Sequence, residues 1–243
     1  LANLLYTEFL KLKRSNMFLI SILGAAIAPF VVVVASRITQ DPSSPPILFD
    51  ELFYQTNLYT VLVIGVALYG VVAAYLFNRE YAEDTLKNLL TIPISRMNYL
   101  VSKCLLLFIW IMILTFVSWS LTLIFGVIGQ FEGLSNTLVI ESFWKAMVGG
   151  ALLFVLSSPI ILIAIVMKNY VPPIILSIVI TLLNVMSASS EHRGLFPWGA
   201  AGDIANNTLL GTYPPSYSYI SIAATSLIGF IATVVYFHKT DIH

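Results

Sequence analysis

Apolar residues run along this chain in long blocks rather than in short alternating patterns. Six blocks stand out: about Met17 to Ser36, Leu58 to Phe77, Leu100 to Ile128, Phe143 to Met167, Tyr170 to Met186 and Tyr219 to Phe237. Each approaches or exceeds the ~20 residues a helix needs to cross a bilayer. The third is long enough to tilt or to begin in the interface, whereas the fifth is short and opens with Pro172 and Pro173. The alternation of a membrane β-barrel is missing, so the blocks predict helices that satisfy their own backbone groups. The expected fold is all-α and integral to the membrane, with six transmembrane helices in one domain over residues 1–243.

Composition agrees and narrows the choice. Hydrophobic residues make up 58% of the chain and charged residues 10%, against roughly 25% charged in a soluble domain. That excludes a soluble enzyme and a disordered chain. Lys+Arg and Asp+Glu both number 12, so no net field draws a polyanion and no nucleic-acid partner is expected. The single cysteine, Cys104, allows no intrachain disulfide. Lys11, Lys13 and Arg14 precede a block of full spanning length, which reads as an anchor rather than a cleavable leader.

Orientation follows from the basic residues. With the N-terminus inside, nine of the 12 fall on the cytoplasmic side: Lys11, Lys13, Arg14, Arg79, Lys87, Arg96, Lys103, Lys168 and Lys239. Arg37, Lys145 and Arg193 fall outside. Both termini are then cytoplasmic. Lys145 and Lys168 sit near the ends of the fourth block, where long side chains reach the interface. No block offers a buried ionisable group for ion coupling, so the energy source is expected elsewhere. His192, His238 and His243 all lie outside the blocks, which leaves an intramembrane enzyme without a base. A membrane scaffold would explain the composition but not the charged helix described next.

Two cytoplasmic segments carry a pattern of their own. In the N-terminal helix expected at about 2–14, Leu5, Phe9 and Leu12 share a face while Thr7, Lys11 and Arg14 point away. Such a helix suits the membrane interface. In the segment of about 79–95, Ala82, Leu86, Leu89 and Leu90 cluster opposite Glu80, Glu83, Asp84 and Lys87, and Pro93 ends the helix. A short two-faced helix of this kind lies on the membrane or docks in a groove of a cytosolic partner.

The run Asn78-Arg79-Glu80-Tyr81-Ala82-Glu83-Asp84-Thr85-Leu86-Lys87, continuing through Leu89-Leu90 to Pro93-Ile94-Ser95-Arg96 and Lys103, resembles the first cytoplasmic loop of ABC-2-type transporter permeases. The opening Thr7-Glu8-Phe9-Leu10-Lys11-Leu12-Lys13-Arg14 is similar to that family's interfacial helix. Where many members carry Gly before the Thr, this chain has Asp84. The resemblance implies an exporter-type permease whose 79–95 segment is a coupling helix seated in a separate ABC ATPase. Glu80, Glu83, Asp84, Thr85, Leu86, Leu89 and Pro93 then make the coupling contacts. None of the 13 glycines precedes a Lys, so the chain has no Walker A motif. It is expected not to be an enzyme, with ATP and Mg held by two copies of the ATPase subunit. A second permease copy, identical or homologous, completes the expected assembly in a bacterial plasma membrane.

The region of about 187–216 is rich in small residues and prolines but includes Phe196, Trp198 and Tyr213. By resemblance it forms outer re-entrant helices; on its own pattern it is equally a loop with belt aromatics. Tyr69 and Asn184 are candidates for a pathway surface together with Phe196, Trp198 and Tyr213. The minimal outer loops and the basic opening look like permeases of the bacitracin-resistance and lantibiotic-immunity transporters. That resemblance implies an amphiphilic peptide substrate taken from the membrane, with bacitracin favoured. A lantibiotic exporter and a general lipid or drug exporter are the alternatives.

Overall fold

The computed structural model describes residues 2–13, 15–40, 46–82 and 95–239. Ten α-helices are found there. They are α1 (Ala2–Lys13), α2 (Met17–Thr39), α3 (Phe49–Tyr59), α4 (Gly65–Ala82), α5 (Arg96–Ile128), α6 (Asn136–Leu156), α7 (Ser158–Met167), α8 (Val171–Ser187), α9 (Pro197–Asn206) and α10 (Pro215–Lys239). A five-residue π-helical segment, Thr60–Ile64, joins α3 to α4 without a break. The one β-type pairing among the described residues is an isolated bridge between Leu48 and Glu132.

Five of these units are long and apolar enough to cross a membrane: Met17–Thr39, Phe49–Ala82, Met97–Ile128, Asn136–Met167 and Pro215–Lys239. The remaining apolar helix, α8, has 17 residues. The second span is longer than its hydropathy predicts. It begins at Phe49 rather than near Leu58, because Asp50, Glu51, Gln55 and Asn57 lower the local hydropathy without interrupting the helix. The fourth block is two helices. Its break falls at Ser157, just before Pro159, whose ring cannot follow in a helix interior.

Local signals set several ends. The Ser95 hydroxyl accepts from the Asn98 N–H at 3.1 Å and starts α5, and Ser135 does the same for Leu138 at the start of α6. Lys168 closes α7 in the left-handed conformation at φ 49°.

The second span is the centre of the bundle. Its apolar window is 61% buried, against 28% for the first and last spans, which keep broad apolar faces outward. Lipid is the natural solvent for faces such as Leu19, Leu23 and Ile27 on α2. Close approach is built from small residues. A Cβ on Gly70 would sit 2.3 Å from the Ser177 Cβ, so α4 and α8 meet backbone to backbone. Gly229 serves the α10–α7 contact in the same way, against Ser158. Polar stitches then fix the pairings: Trp110 Nε1–H to Ser21 Oγ at 3.0 Å ties α5 to α2, and Tyr69 with Thr115 at 2.8 Å ties α4 to α5. Each such bond in a membrane bundle contributes on average about 0.6 kcal/mol.

The N-terminal helix departs from its expected face. Leu12 is buried and Leu5 half-buried, but Phe9 is exposed and Glu8 takes the inward position. Lys11, expected to face headgroups, turns toward carboxylates instead. Charge pairing outweighs the apolar periodicity here.

Candidate functional site

Two polar constructions lie at opposite ends of the bundle. The first joins α1, the last turn of α4 and the first turns of α5. Glu80 sits one turn beyond Leu76, and Lys103 sits two turns into α5, so both ends of the intervening segment come together. The Lys103 ammonium reaches Glu80 Oε2 at 2.5 Å, the Leu76 carbonyl at 2.6 Å and Glu8 Oε2 at 3.3 Å. Its third face lies over the Tyr99 ring at 5.4 Å. Lys11 bridges the other carboxylate oxygens, at 2.5 Å from Glu8 Oε1 and 3.2 Å from Glu80 Oε1. The result is a ring of two carboxylates and two ammoniums with no net charge. Arg79 adds a bond to the Lys11 carbonyl at 3.2 Å, fixing the end of α1.

Burial decides what this ring is worth. Glu80 and Lys103 are each 1% exposed. Removing one member of such a pair leaves a desolvated charge, which costs about 3–5 kcal/mol. Burial disfavours the Lys11 ammonium, but the hydrogen bond and charge of Glu8, then those of Glu80, outweigh it and raise its pKa above the usual lysine value. Of the residues expected to make coupling contacts, Glu80 is in this ring. Glu83, Asp84, Thr85, Leu86, Leu89 and Pro93 lie outside the described residues.

The second construction is the inserted helix α9 and the turn before it. Trp198, Ala200, Ala201 and Asp203 are buried, so α9 dips among the long helices rather than lying over them. Arg193 holds it there. Its guanidinium pairs with both Asp203 oxygens, at 3.0 and 2.8 Å, and donates to the Ala188 and Thr208 carbonyls. Phe196 and Trp198 pack ring to ring at 5.6 Å between centroids. Tyr213 hydrogen-bonds to His192 Nδ1 at 2.9 Å across the mouth of this turn.

The other two pathway candidates are interior. Tyr69 is 3% exposed and bonded to Thr115, and Asn184 is fully buried with its Nδ2 donating to the Leu62 carbonyl at 2.8 Å. That carbonyl belongs to the π-segment, whose irregular ladder leaves acceptors for a neighbouring helix to satisfy. Asn184 lies against α9, where a Cβ on Gly199 would sit 3.6 Å from its Oδ1, and Tyr69 belongs to the buried cluster against which Phe196 packs. Glu8 was missed as a partner of Lys103, although its i, i+3, i+7 spacing with Leu5 and Leu12 puts it on the inward face. The Arg193–Asp203 pair carries no sequence signal.

Five helices long and apolar enough to cross a membrane, with an N-terminal helix, a charged anchor at one end and an inserted short helix at the other, make the architecture of a multi-pass membrane protein. The chain belongs to the ABC-2 family of transporter proteins, which matches residues 4–184. It is 59% identical over 198 residues to the bacitracin transport permease protein BCRB of Bacillus licheniformis, across 82% of this chain and 95% of that one.

Proposed function

We propose that this chain is the permease subunit of an ATP-driven transporter that expels bacitracin and so protects the cell. One observation carries the substrate: the 59% identity with a bacitracin transport permease along 95% of that protein's length. In this reading α1 and the charged ring lie at the cytoplasmic face, where nine of the 12 basic residues fall by the positive-inside rule. The five long helices and α8 make six spans, with both termini inside. At about 1.5 Å per residue α8 reaches most of the way across the hydrocarbon, and α9 fills the remainder as a re-entrant helix.

The segment of about 79–95 docks on a cytosolic ABC ATPase through Glu80, Glu83, Asp84, Thr85, Leu86, Leu89 and Pro93. ATP and Mg are bound there and not by this chain. Two permeases and two ATPase subunits form the working unit. The ring of Glu8, Lys11, Glu80 and Lys103 hands movement of the docking segment to three helices at once, because Glu80 cannot shift without Lys103 and α1. An amphiphilic peptide enters sideways from the outer part of the bilayer, where the half-buried Phe196 and Tyr213 offer flat apolar faces and the buried Trp198 backs Phe196.

The test is a susceptible host expressing this chain with its ATPase partner. Inhibitory concentrations of bacitracin should rise several-fold, and the gain should vanish when the ATPase's catalytic Glu is replaced. Protection against a lantibiotic alone would keep the transporter and replace its substrate. Protection against neither, with the complex assembled, contradicts the resistance function.

A further inference from the structure

A polar cavity of about 150 Å³ opens at the α9 end of the bundle, between α3, α6 and α9. Asp50, Glu51, Tyr54, Asn57, Lys145 and Asn206 line it. Sharing Phe53, Asn57 and Ser142, a narrower recess of about 20 Å³ continues inward along α5. Its walls carry hydroxyls from Thr56, Thr60, Ser118, Thr122 and Ser142, all nine-tenths buried or more. Hydroxyls are common where membrane helices pack closely, and here five of them converge on one recess.

The available chemistry is that of an acceptor. Thr122 and Ser142 spend their hydroxyl hydrogens on the Ser118 and Val139 carbonyls, at 2.8 and 3.0 Å. Thr122 keeps its lone pairs for a guest, whereas Ser142 already accepts from the Trp119 indole N–H at 3.1 Å and has one left. Asn57 donates its amide to Asn206 Oδ1 at 2.9 Å, which leaves its own oxygen as an acceptor. Thr56 Oγ1 is buried with no hydrogen-bond partner at all, although it faces this recess. An orphaned buried hydroxyl is costly unless something fills the place.

Charge at the mouth points the same way. Lys145 lines the same cavity but is paired with Glu141 at 2.7 Å, while Asp50 and Glu51 make no ion pair among the described residues. Glu51 accepts only from Gln55, at 2.7 Å. We infer that this cavity binds the primary ammonium head of an amphiphilic ligand, with Asp50 and Glu51 drawing the cation in and Asn57, where the cavity meets the Thr56 recess, accepting its hydrogens. An ammonium has three donors and no acceptor, which matches these walls; a carboxylate or phosphate does not. The volume equals that of a cavity that accepts a benzene-sized guest, so it takes an aminoalkyl head and not a whole peptide. As a subsite for part of the exported molecule it rests on the transporter reading; the binding itself does not.

The probe is radiolabelled n-hexylamine at pH 7.5, in equilibrium dialysis against the full chain in nanodiscs, with empty nanodiscs subtracted. We expect one saturable site per chain, with hexanol and hexanoate competing at least about fivefold more weakly, the scale of one close charge pair near a protein surface. Asp50→Asn with Glu51→Gln should weaken binding by about fivefold or more, and Thr56→Val should weaken it less. Lys145→Gln, which removes the competing cation, should tighten it, so loss of folding cannot imitate the whole pattern. Absence of a saturable site, equal competition by hexanoate, or unchanged affinity in the Asp50/Glu51 variant overturns the assignment. Neither bacitracin nor ATPase is present, so the outcome is independent of the host-protection test. Protection that survives in a non-binding Asp50/Glu51 variant would leave the transporter standing and detach this cavity from export.

Discussion

Lys103 Nζ lies 2.5 Å from Glu80 Oε2, with both side chains sealed from solvent, and this contact ties α5 to α4 across 23 residues of chain. Glu8 joins the same ammonium from α1 at 3.3 Å. Three helices thus share one charge, and none of them can move at this end without disturbing the other two.

Replacing Lys103 by Met should therefore be worse than replacing both partners. The single change strands Glu80 beside Glu8 and should cost about 3–5 kcal/mol. The double variant Glu80→Leu with Lys103→Met leaves the Glu8–Lys11 pair intact and should recover much of that loss. Thermal unfolding of the three purified proteins in detergent measures it. Equal melting temperatures for the single variant and the parent would show that the ring carries no stability.

Lys11 gives a pH signature. Its folded pKa lies above the ordinary lysine value of 10.5, so its contribution is fully present below about 10.5 and is lost as pH rises through the folded value. The melting-temperature difference between parent and Lys11→Met should be constant from pH 7 to 9 and should shrink above pH 10.5. A difference that already falls between pH 7 and 9 would place the titration on another group.

Arg193 and Asp203 hold α9 in place. Arg193→Ala leaves the buried Asp203 carboxylate with Thr208 alone. Because the Arg193 side chain is 27% exposed, the cost should fall near the lower end of about 3–5 kcal/mol. Arg193→Lys keeps the charge but loses the two-pronged contact and should fall between the two. Limited proteolysis of the 187–216 region, faster in Ala than in Lys and slowest in the parent, is the expected order.

Hydropathy made the long helices legible, because crossing a bilayer is a property of composition over ~20 residues. It failed where polar side chains face inward. Asp50, Glu51 and Asn57 made the start of the second span look like loop, and the cavity they border is invisible to an averaged hydropathy. Glu80 was read as a contact of the coupling segment, but its carboxylate is buried against Lys11 and Lys103, 69 and 23 residues away. Phe9 and Lys11 were read from periodicity as apolar-inward and basic-outward, and pairing with Glu80 reversed the second. The π-segment at Thr60–Ile64 and the burial of α9 are tertiary outcomes with no local sequence mark.

Docking through the 79–95 segment is tested by placing charge on its apolar face. Leu86→Asp with Leu89→Asp should abolish copurification of the ATPase subunit while the permease still accumulates in the membrane, since desolvating unpaired carboxylates is costly. Retention of the full complex would make this segment a membrane-surface element only.

The central claim is that one molecule contains both the ATPase coupling and the recognition of bacitracin. It is tested most directly by ATP turnover of the purified permease–ATPase complex in nanodiscs as bacitracin is titrated. Turnover should rise saturably with bacitracin, and no such response should appear when the Leu86/Leu89 variant is mixed with added ATPase. A basal rate that bacitracin leaves unchanged at every concentration, in a complex that binds and hydrolyses ATP, would contradict the account.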